Sequence, residues 1–280
     1  MVLEKLKIDF FNELKDVYSS SELEFLFPIF LEDVFEITRG FARDSKTIIP
    51  EYRLGKWNQY LEKLKNNIPY QYVLGNTEFF GLHLKLNSSV LIPRPETEEL
   101  LDYISKLDLS PAKSIADFGT GSGCIALGLK RLFPSAQVWA YDISLDALAL
   151  AAENAEINGL AVNFEEFDIL NIEKQPLEES YELIISNPPY IREMEKVEME
   201  ARVLNFEPES ALFVDDSNPL IFYKAMEKIA SHHLSLTGSM FLEINQYLAK
   251  ETEMLFKERF WSTKLLKDLS GNWRFLQVWK

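Results

Sequence analysis

The chain has 280 residues, about two domains by length, and its 47% apolar and 13% aromatic content is ample for a packed core. A formal net charge of −15 supplies no overall field for phosphate backbones, which argues against stable nucleic-acid binding and suits a basic protein partner better. A single cysteine, Cys124, excludes an internal disulfide and a thiolate metal cluster.

The opening MVLEKLKIDFF mixes charges into an amphipathic pattern, unlike a secretory leader. The apolar run from Phe25 to Leu31 is far short of a bilayer span, so a cytoplasmic chain with no membrane attachment is expected. Leu3, Leu6, Phe10, Leu14 and Val17 recur at helical spacing and predict a first helix. Ser21 with Glu24 reads as a capping box opening a second helix, within which Pro28 predicts a start or a kink. Tyr60, Leu61 and Leu64 mark a further helix. Residues 1–75 are therefore expected to form a small helical bundle. Lacking glycine-rich chemistry, its expected role is partner recognition.

From Thr77 the period changes to two. Phe79, Leu82, Leu84 and Leu86, then Val90 to Ile92, predict a β-hairpin connector over 76–93, turning at Asn87-Ser88-Ser89. Beyond it, apolar runs alternate with helical patterns through 94–280. SIADF (114–118), QVWAY (137–141), VNFEEF (162–167) and YELIIS (181–186) read as strands of a parallel sheet with crossover helices. SMFLEI (239–244) precedes a helix from Gln246 to about Phe260. TKLLKDL and RFLQVW then stand a hairpin apart around Ser270-Gly271-Asn272, predicting a terminal antiparallel pair.

Chemistry concentrates where strands end. DFGTGSGC (117–124) follows the first core strand and opens a helix, where ligands lie in open α/β sheets. Gly119, Gly121 and Gly123 read G-x-G-x-G, which is neither a triphosphate loop nor the dinucleotide fingerprint. Asp142 stands 23 residues after Gly119, where an acid can accept from two ribose hydroxyls; the same residue suits a helix N-cap, a role open equally to Ser144. Asp168 and Ile169 would flank an adenine. A nucleoside-containing ligand follows.

SNPPYI (186–191) ends the fourth strand in a stiff, donor-poor turn. The Asn187 side-chain oxygen and the Pro188 carbonyl can accept together from one –NH2 group, and Tyr190 offers a flat face to a planar amide or base. The stretch reads as a holder for a planar amino group that must attack something nearby. Elsewhere, His83, His232 and His233 show no metal-ligand spacing, and no metal is expected. Cys124 reads as a small packing residue. The run 192–202 reads as a solvated helix face or a lid, and Arg94 with Glu96 suits either an ion pair or contact with the substrate.

Together DFGTGSG, YDIS and SNPPYI resemble the S-adenosylmethionine-dependent methyltransferases that modify planar nitrogens. PYQYVLG (69–75), EFFGL (78–82), VLIPRPETEELL (90–101), FEPESALF (206–213) and KDLSGNWR (267–274) narrow the resemblance to the release factor glutamine methyltransferase family. That resemblance implies a Rossmann-like, seven-stranded α/β sheet and S-adenosylmethionine as cofactor. It implies methyl transfer to the side-chain amide nitrogen (N5) of the glutamine in the Gly-Gly-Gln loop of a peptide chain release factor, by a monomer. Gly119, Thr120, Gly121, Ser122 and Gly123 would border the methionine part, Asp142 the ribose, and Asp168 with Ile169 the adenine. Asn187, Pro188 and Pro189 would bind the glutamine amide, and Tyr190 would pack on it. Family members often carry an aromatic residue where Ile169 stands, and VDDSNP (214–219) replaces a more glycine-rich stretch. The competing readings are an adenine-N6 methyltransferase acting on nucleic acid and a catalytically silent adenosylmethionine-binding adaptor.

Overall fold

The computed structural model describes residues 2–38, 47–107, 109, 112–174, 177 and 180–280. The chain divides into two units, Met1–Asn76 with Ala201–Phe206, and Thr77–Glu200 with Glu207–Lys280. Residues 39–46 of the expected helical part lie outside the described residues.

The first unit contains α1 (Leu3–Leu14), α2 (Ser20–Phe35), α3 (Leu54–Lys65), α4 (Tyr70–Leu74) and the short α8 (Ala201–Phe206). The apolar stripe of α1 is buried, and Phe10 lies 5.4 Å from both the Phe27 and the Trp57 rings. Helix α2 starts one box earlier than expected. Ser19 is the N-cap, its backbone N–H donates to the Glu22 carboxylate at 2.7 Å, and Ser21 lies inside the helix. Starting at Ser19 leaves Tyr18 and Leu23 flanking the cap as buried residues, whereas a Ser21 cap would put the exposed Phe25 in that place. The helix runs on through Pro28 to Phe35. Arg202 of α8 lies over the Tyr18 ring and 3.6 Å from Glu22.

The second unit opens with β1 (Asn76–Phe79) and β2 (Leu82–Lys85). Their turn is Phe80-Gly81, not the expected 87–89. Both residues have positive φ (47° and 70°), as a tight hairpin turn of matching twist requires. Asn87 instead makes a side-chain turn, accepting from the Ser89 N–H at 2.9 Å. The backbone N–H of Ile92 is taken by the buried Glu207 carboxylate rather than by a strand.

Seven strands form the main sheet: β3 (Ser114–Phe118), β4 (Gln137–Asp142), β5 (Asn163–Glu166), β6 (Tyr181–Ser186), β9 (Leu234–Glu243), β10 (Ser262–Lys267) and β11 (Trp273–Trp279). Their order is β10-β11-β9-β6-β3-β4-β5, all running the same way except β11, which is antiparallel to both β10 and β9. A separate parallel pair joins β7 (Ile191–Arg192) to β8 (Phe213–Val214). Strand β9 begins five residues before the expected SMFLEI. The expected helix from Gln246 is a 3-10 turn, Gln246–Leu248, followed by α10 (Ala249–Lys257). The run 192–202 is a 3-10 stretch, Glu193–Glu198, leading into α8.

Alternate side chains of the central strands enter two cores. Ile115, Val138, Leu183 and Ile185 join α5 (Pro95–Ser105) and α6 (Cys124–Leu132) on one face; Phe118, Tyr141, Ile184 and Met240 join α9 (Ile221–His233) and α10 on the other. Helix α7 (Leu145–Asn158) fastens the hairpin to this sheet. Asn154 exchanges hydrogen bonds with Lys85 N–H (2.7 Å) and C=O (3.1 Å), and Asn158 with His83 N–H (3.1 Å) and C=O (2.8 Å). Residues four apart on a helix thus match residues two apart on a strand, and satisfy an edge that pairs with no further strand. Strand order reverses between β3 and β6, so the carboxyl ends of these neighbours frame a crevice.

Candidate active site

Both chemical motifs end at that crevice. The glycine loop leaves β3, and the SNPPYI turn leaves β6. Ser186 closes the ends together, its hydroxyl donating to the Phe118 carbonyl at 2.7 Å. A Cβ added to Gly119 would stand 3.9 Å from the Asn187 carbonyl oxygen and 4.0 Å from Ile169 Cδ1, which shows how closely the two motifs approach.

Backbone bonds hold the loop open. The N–H groups of Gly119 and Thr120 both donate to the Tyr141 carbonyl, at 2.8 and 2.9 Å. Gly121 N–H donates to Asp142 Oδ2 at 2.8 Å, and Asp142 Oδ1 accepts from Ser144 N–H at 2.9 Å. Ser144 fills the N-cap of α7, its hydroxyl accepting from Ala147 N–H. That leaves Asp142 at the cavity rim, with burial raising its pKa against the pull of its backbone donors. Beneath the loop, Asp117 is fully buried. Its Oδ2 accepts from Thr120 Oγ1 (2.7 Å) and Ala126 N–H (3.1 Å), while Oδ1 has no partner among the described residues; burial pushes its pKa up to about 7. Cys124 packs there too, its thiol pushed up to about 12 by burial.

A cavity of about 330 Å³ opens on these groups. Of the residues expected in the site, Gly119, Thr120, Gly121, Ser122, Asp142, Asp168, Ile169, Asn187 and Pro189 line it. Gly123, Pro188 and Tyr190 do not. Gly123 (φ +81°) instead packs under Ala151 of α7, and Pro188 is buried in the turn. The Tyr190 hydroxyl donates to the buried Glu243 at 2.8 Å, and its carbonyl accepts from Asn245 Nδ2 at 2.9 Å. Asp168 accepts from Leu170 N–H at 2.9 Å, shaping the rim beside Ile169. Among the described residues, the Asn187 side chain makes no hydrogen bond within the protein.

The structure also brings residues of the flanking motif runs to the cavity. Pro93, Arg94 and Thr97 of the VLIPRPETEELL run line the cavity, as do Pro208, Ser210 and Ala211 of FEPESALF, and Phe222. Arg94 pairs with Glu207 at 2.7 Å rather than with Glu96. Glu207, Glu243 and Asp117 are buried carboxylates that strand and helix periodicity reads as ordinary surface acids; the signal for Glu207 lay in the FEPESALF run, for Asp117 in the DFGTGSGC run, and for Glu243 only in its place at the end of the SMFLEI strand. Among the described residues, no group of three or more His, Cys, Asp and Glu side chains is arranged for a metal ion, and no helix is long and apolar enough to cross a membrane.

Comparison with known proteins agrees with this geometry. The family described as "Methyltransferase small domain" matches residues 97–208. A release factor glutamine methyltransferase of Flavobacterium psychrophilum is 42% identical, over 99% of each chain. One of Bacteroides thetaiotaomicron is 37% identical over 95% of each, and one of Lactococcus lactis 38% identical over 94% of this chain and 95% of its own. Among solved structures, a methyltransferase from Pyrococcus furiosus superposes with a TM-score of 0.54 at 19% identity, covering 82% of this chain and 98% of its own. A 16S rRNA N2 methyltransferase from T. thermophilus, solved with AdoMet and guanosine, gives 0.53 at 20% identity, over 73% of this chain and 49% of its own. At these identities the solved structures speak for the fold alone.

Proposed function

The chain belongs to the release factor glutamine methyltransferase family, and from that premise we propose how its own residues perform the reaction. It transfers a methyl group from S-adenosylmethionine to the side-chain amide nitrogen of a release factor glutamine. The glutamine belongs to the Gly-Gly-Gln loop. The residues fit such a cofactor: a backbone cradle at Gly119–Ser122, two rim carboxylates, and an apolar slot of Ile143, Phe167 and Ile169. Asp142 would accept from the ribose hydroxyls and Asp168 would border the adenine. Ile169 offers an aliphatic face there in place of an aromatic stack.

Bound S-adenosylmethionine supplies an electrophilic methyl group on a sulfonium. The protein's task is to aim a poor nucleophile, since the amide nitrogen's lone pair is delocalised into its carbonyl. The Asn187 oxygen and the Pro188 carbonyl accept the two amide N–H groups and fix the nitrogen's direction. Pro188 and Pro189 stiffen that pair of acceptors and bring no N–H to compete with the substrate's. Tyr190, behind the cavity wall, anchors that turn through its hydroxyl on Glu243 and its carbonyl on Asn245. The displaced proton leaves the nitrogen once the new bond forms, so positioning and preorganised acceptors supply the rate without a strong base.

One observation carries this reading: Asn187, whose side chain makes no hydrogen bond among the described residues, lines the cavity beside the glycine loop. Single-turnover transfer of label to purified release factor tests it. Label is expected on the normal factor and absent from one whose Gly-Gly-Gln glutamine is alanine. Asn187→Ala should slow transfer by about 10²–10³-fold with cofactor affinity nearly kept. Label persisting on the glutamine-free factor, or preferring an adenine-containing oligonucleotide, would overturn the assignment. A nucleic-acid substrate is disfavoured by the cavity itself, whose one basic lining residue among those described, Arg94, is paired with Glu207. The partner is the release factor, met in the cytoplasm by a monomeric enzyme, with the helical unit as the recognition surface.

A further inference from the structure

We propose that Glu243 is a positioning residue for methyl transfer, its buried carboxylate tying Tyr190 of the substrate turn to Thr97 of the cavity wall. The inference rests on the glutamine-methylating reading and concerns how the amide is aimed.

Glu243 ends β9, the neighbour of β6, and is 1% exposed. Its Oε1 accepts from the Tyr190 hydroxyl at 2.8 Å and its Oε2 from Thr97 Oγ1 at 2.9 Å. The two hydroxyls come from different elements. Thr97 lies in the first turn of α5 and lines the cavity; Tyr190 closes the turn that begins at Asn187. The same strand end holds the rest of Tyr190. Asn245 Nδ2 donates to the Tyr190 carbonyl (2.9 Å) and to Glu195 (2.8 Å), while Tyr223 donates to the Glu243 carbonyl (3.2 Å) and accepts from Asn245 N–H (3.3 Å). Tyr190 is therefore gripped at both ends, hydroxyl and backbone.

Glu243 has no ion-pair partner among the described residues. Arg274, whose charge favours the ionised form of Glu243, commits its Nε to Asp268 at 3.1 Å. Burying a carboxylate on two hydroxyls is costly, and an apolar residue of similar size would serve stability better. What the carboxylate provides is direction. A phenol held at its hydroxyl loses the ring rotation and tilt that packing alone would leave, and the turn from Asn187 to Tyr190 that receives the amide is placed accordingly.

The test uses the full-length enzyme with purified release factor, reading kcat, KM and cofactor affinity separately. Glu243→Gln and Tyr190→Phe are each expected to lower kcat roughly tenfold, since small misplacements of a reacting group are costly, while KM for the factor and cofactor affinity change less than twofold. The double variant should be no slower than the slower single, because both remove one linkage. A purely structural role would lower the melting temperature and leave kcat intact. Should Glu243→Gln fail to fold by circular dichroism, Tyr190→Phe keeps the test alive alongside Thr97→Val, which should lose more kcat than Thr97→Ser. Unchanged kcat in Tyr190→Phe, or effects that multiply in the double variant, would overturn the inference alone. Absence of label with the unaltered enzyme would overturn the release-factor reading and this inference with it.

Discussion

Asp117, one residue before the end of β3, and Asp142, the last residue of β4, lie on adjacent strands, yet their surroundings assign them opposite work. Asp142 keeps both oxygens occupied by backbone donors and faces the cavity, as its place after the second strand implies. Asp117 is sealed beneath the loop with one oxygen unpartnered and a pKa raised from 3.8 to about 7. A carboxyl raised on folding favours the protonated folded state. Its contribution is full below the unfolded pKa and is lost as pH rises through the folded one. Between about pH 4 and pH 7 the parent should therefore lose stability relative to Asp117→Asn, which cannot ionise, by an amount on the order of a few kcal/mol. Urea unfolding across that range measures it. Identical pH dependence in the two proteins would mean that Asp117 is not held neutral in the fold.

Hydrogen-bonded elements decide which loops can stay open. The glycine loop keeps its shape because α7 reaches across to it: Asn154 Nδ2 donates to the Ser122 carbonyl at 2.9 Å while the same side chain engages both backbone groups of Lys85. Asn154→Ala would leave the buried Ser122 carbonyl without its donor and release Lys85 from α7. It is expected to cost about 1–3 kcal/mol in urea unfolding, the range for unsatisfied buried polar groups, and to weaken cofactor binding through the loosened loop. A variant as stable as the parent would remove the asparagine clamp from the account. Helical periodicity marks Asn154 as an inward position but does not say what it meets. The hairpin turn was misread for a related reason. Asn87-Ser88-Ser89 has turn chemistry and makes a turn, but the strand that periodicity places after it has its N–H drawn to Glu207, distant in sequence.

At the scale of the whole molecule, the chain leaves the methyltransferase unit after Glu200, contributes α8 to the helical unit, and returns at Glu207. A helical unit that recognises the factor should act on KM and not on chemistry. Phe25 and Tyr52, 54% and 81% exposed, are the exposed aromatic groups of this unit among the described residues, and so suit such contact. Phe25→Ser and Tyr52→Ser are expected to raise KM for intact release factor several-fold while leaving methylation of a short Gly-Gly-Gln peptide unaltered. Steady-state kinetics on both substrates measures this. Unchanged KM in both variants would remove the helical unit from recognition.

Periodicity of two and of 3.6 in the apolar residues was enough to determine the helical start, the alternating α/β body and the terminal antiparallel pair, because these patterns follow from which side chains must leave water. The motif residues after β3, β4 and β6 were legible for a similar reason: glycine, acid and Asn-Pro-Pro at strand ends constrain the local backbone and its ligands wherever they occur. The buried carboxylates Asp117, Glu207 and Glu243 were not legible. Glu207 and Glu243 depend on partners far away in the chain, Arg94 for the first and Thr97 for the second, and Asp117 on the burial that packing imposes. Strand order alone brings the glycine loop and the Asn187 turn side by side, and only the packed sheet creates the low-dielectric interior in which those carboxylates become costly enough to mean something.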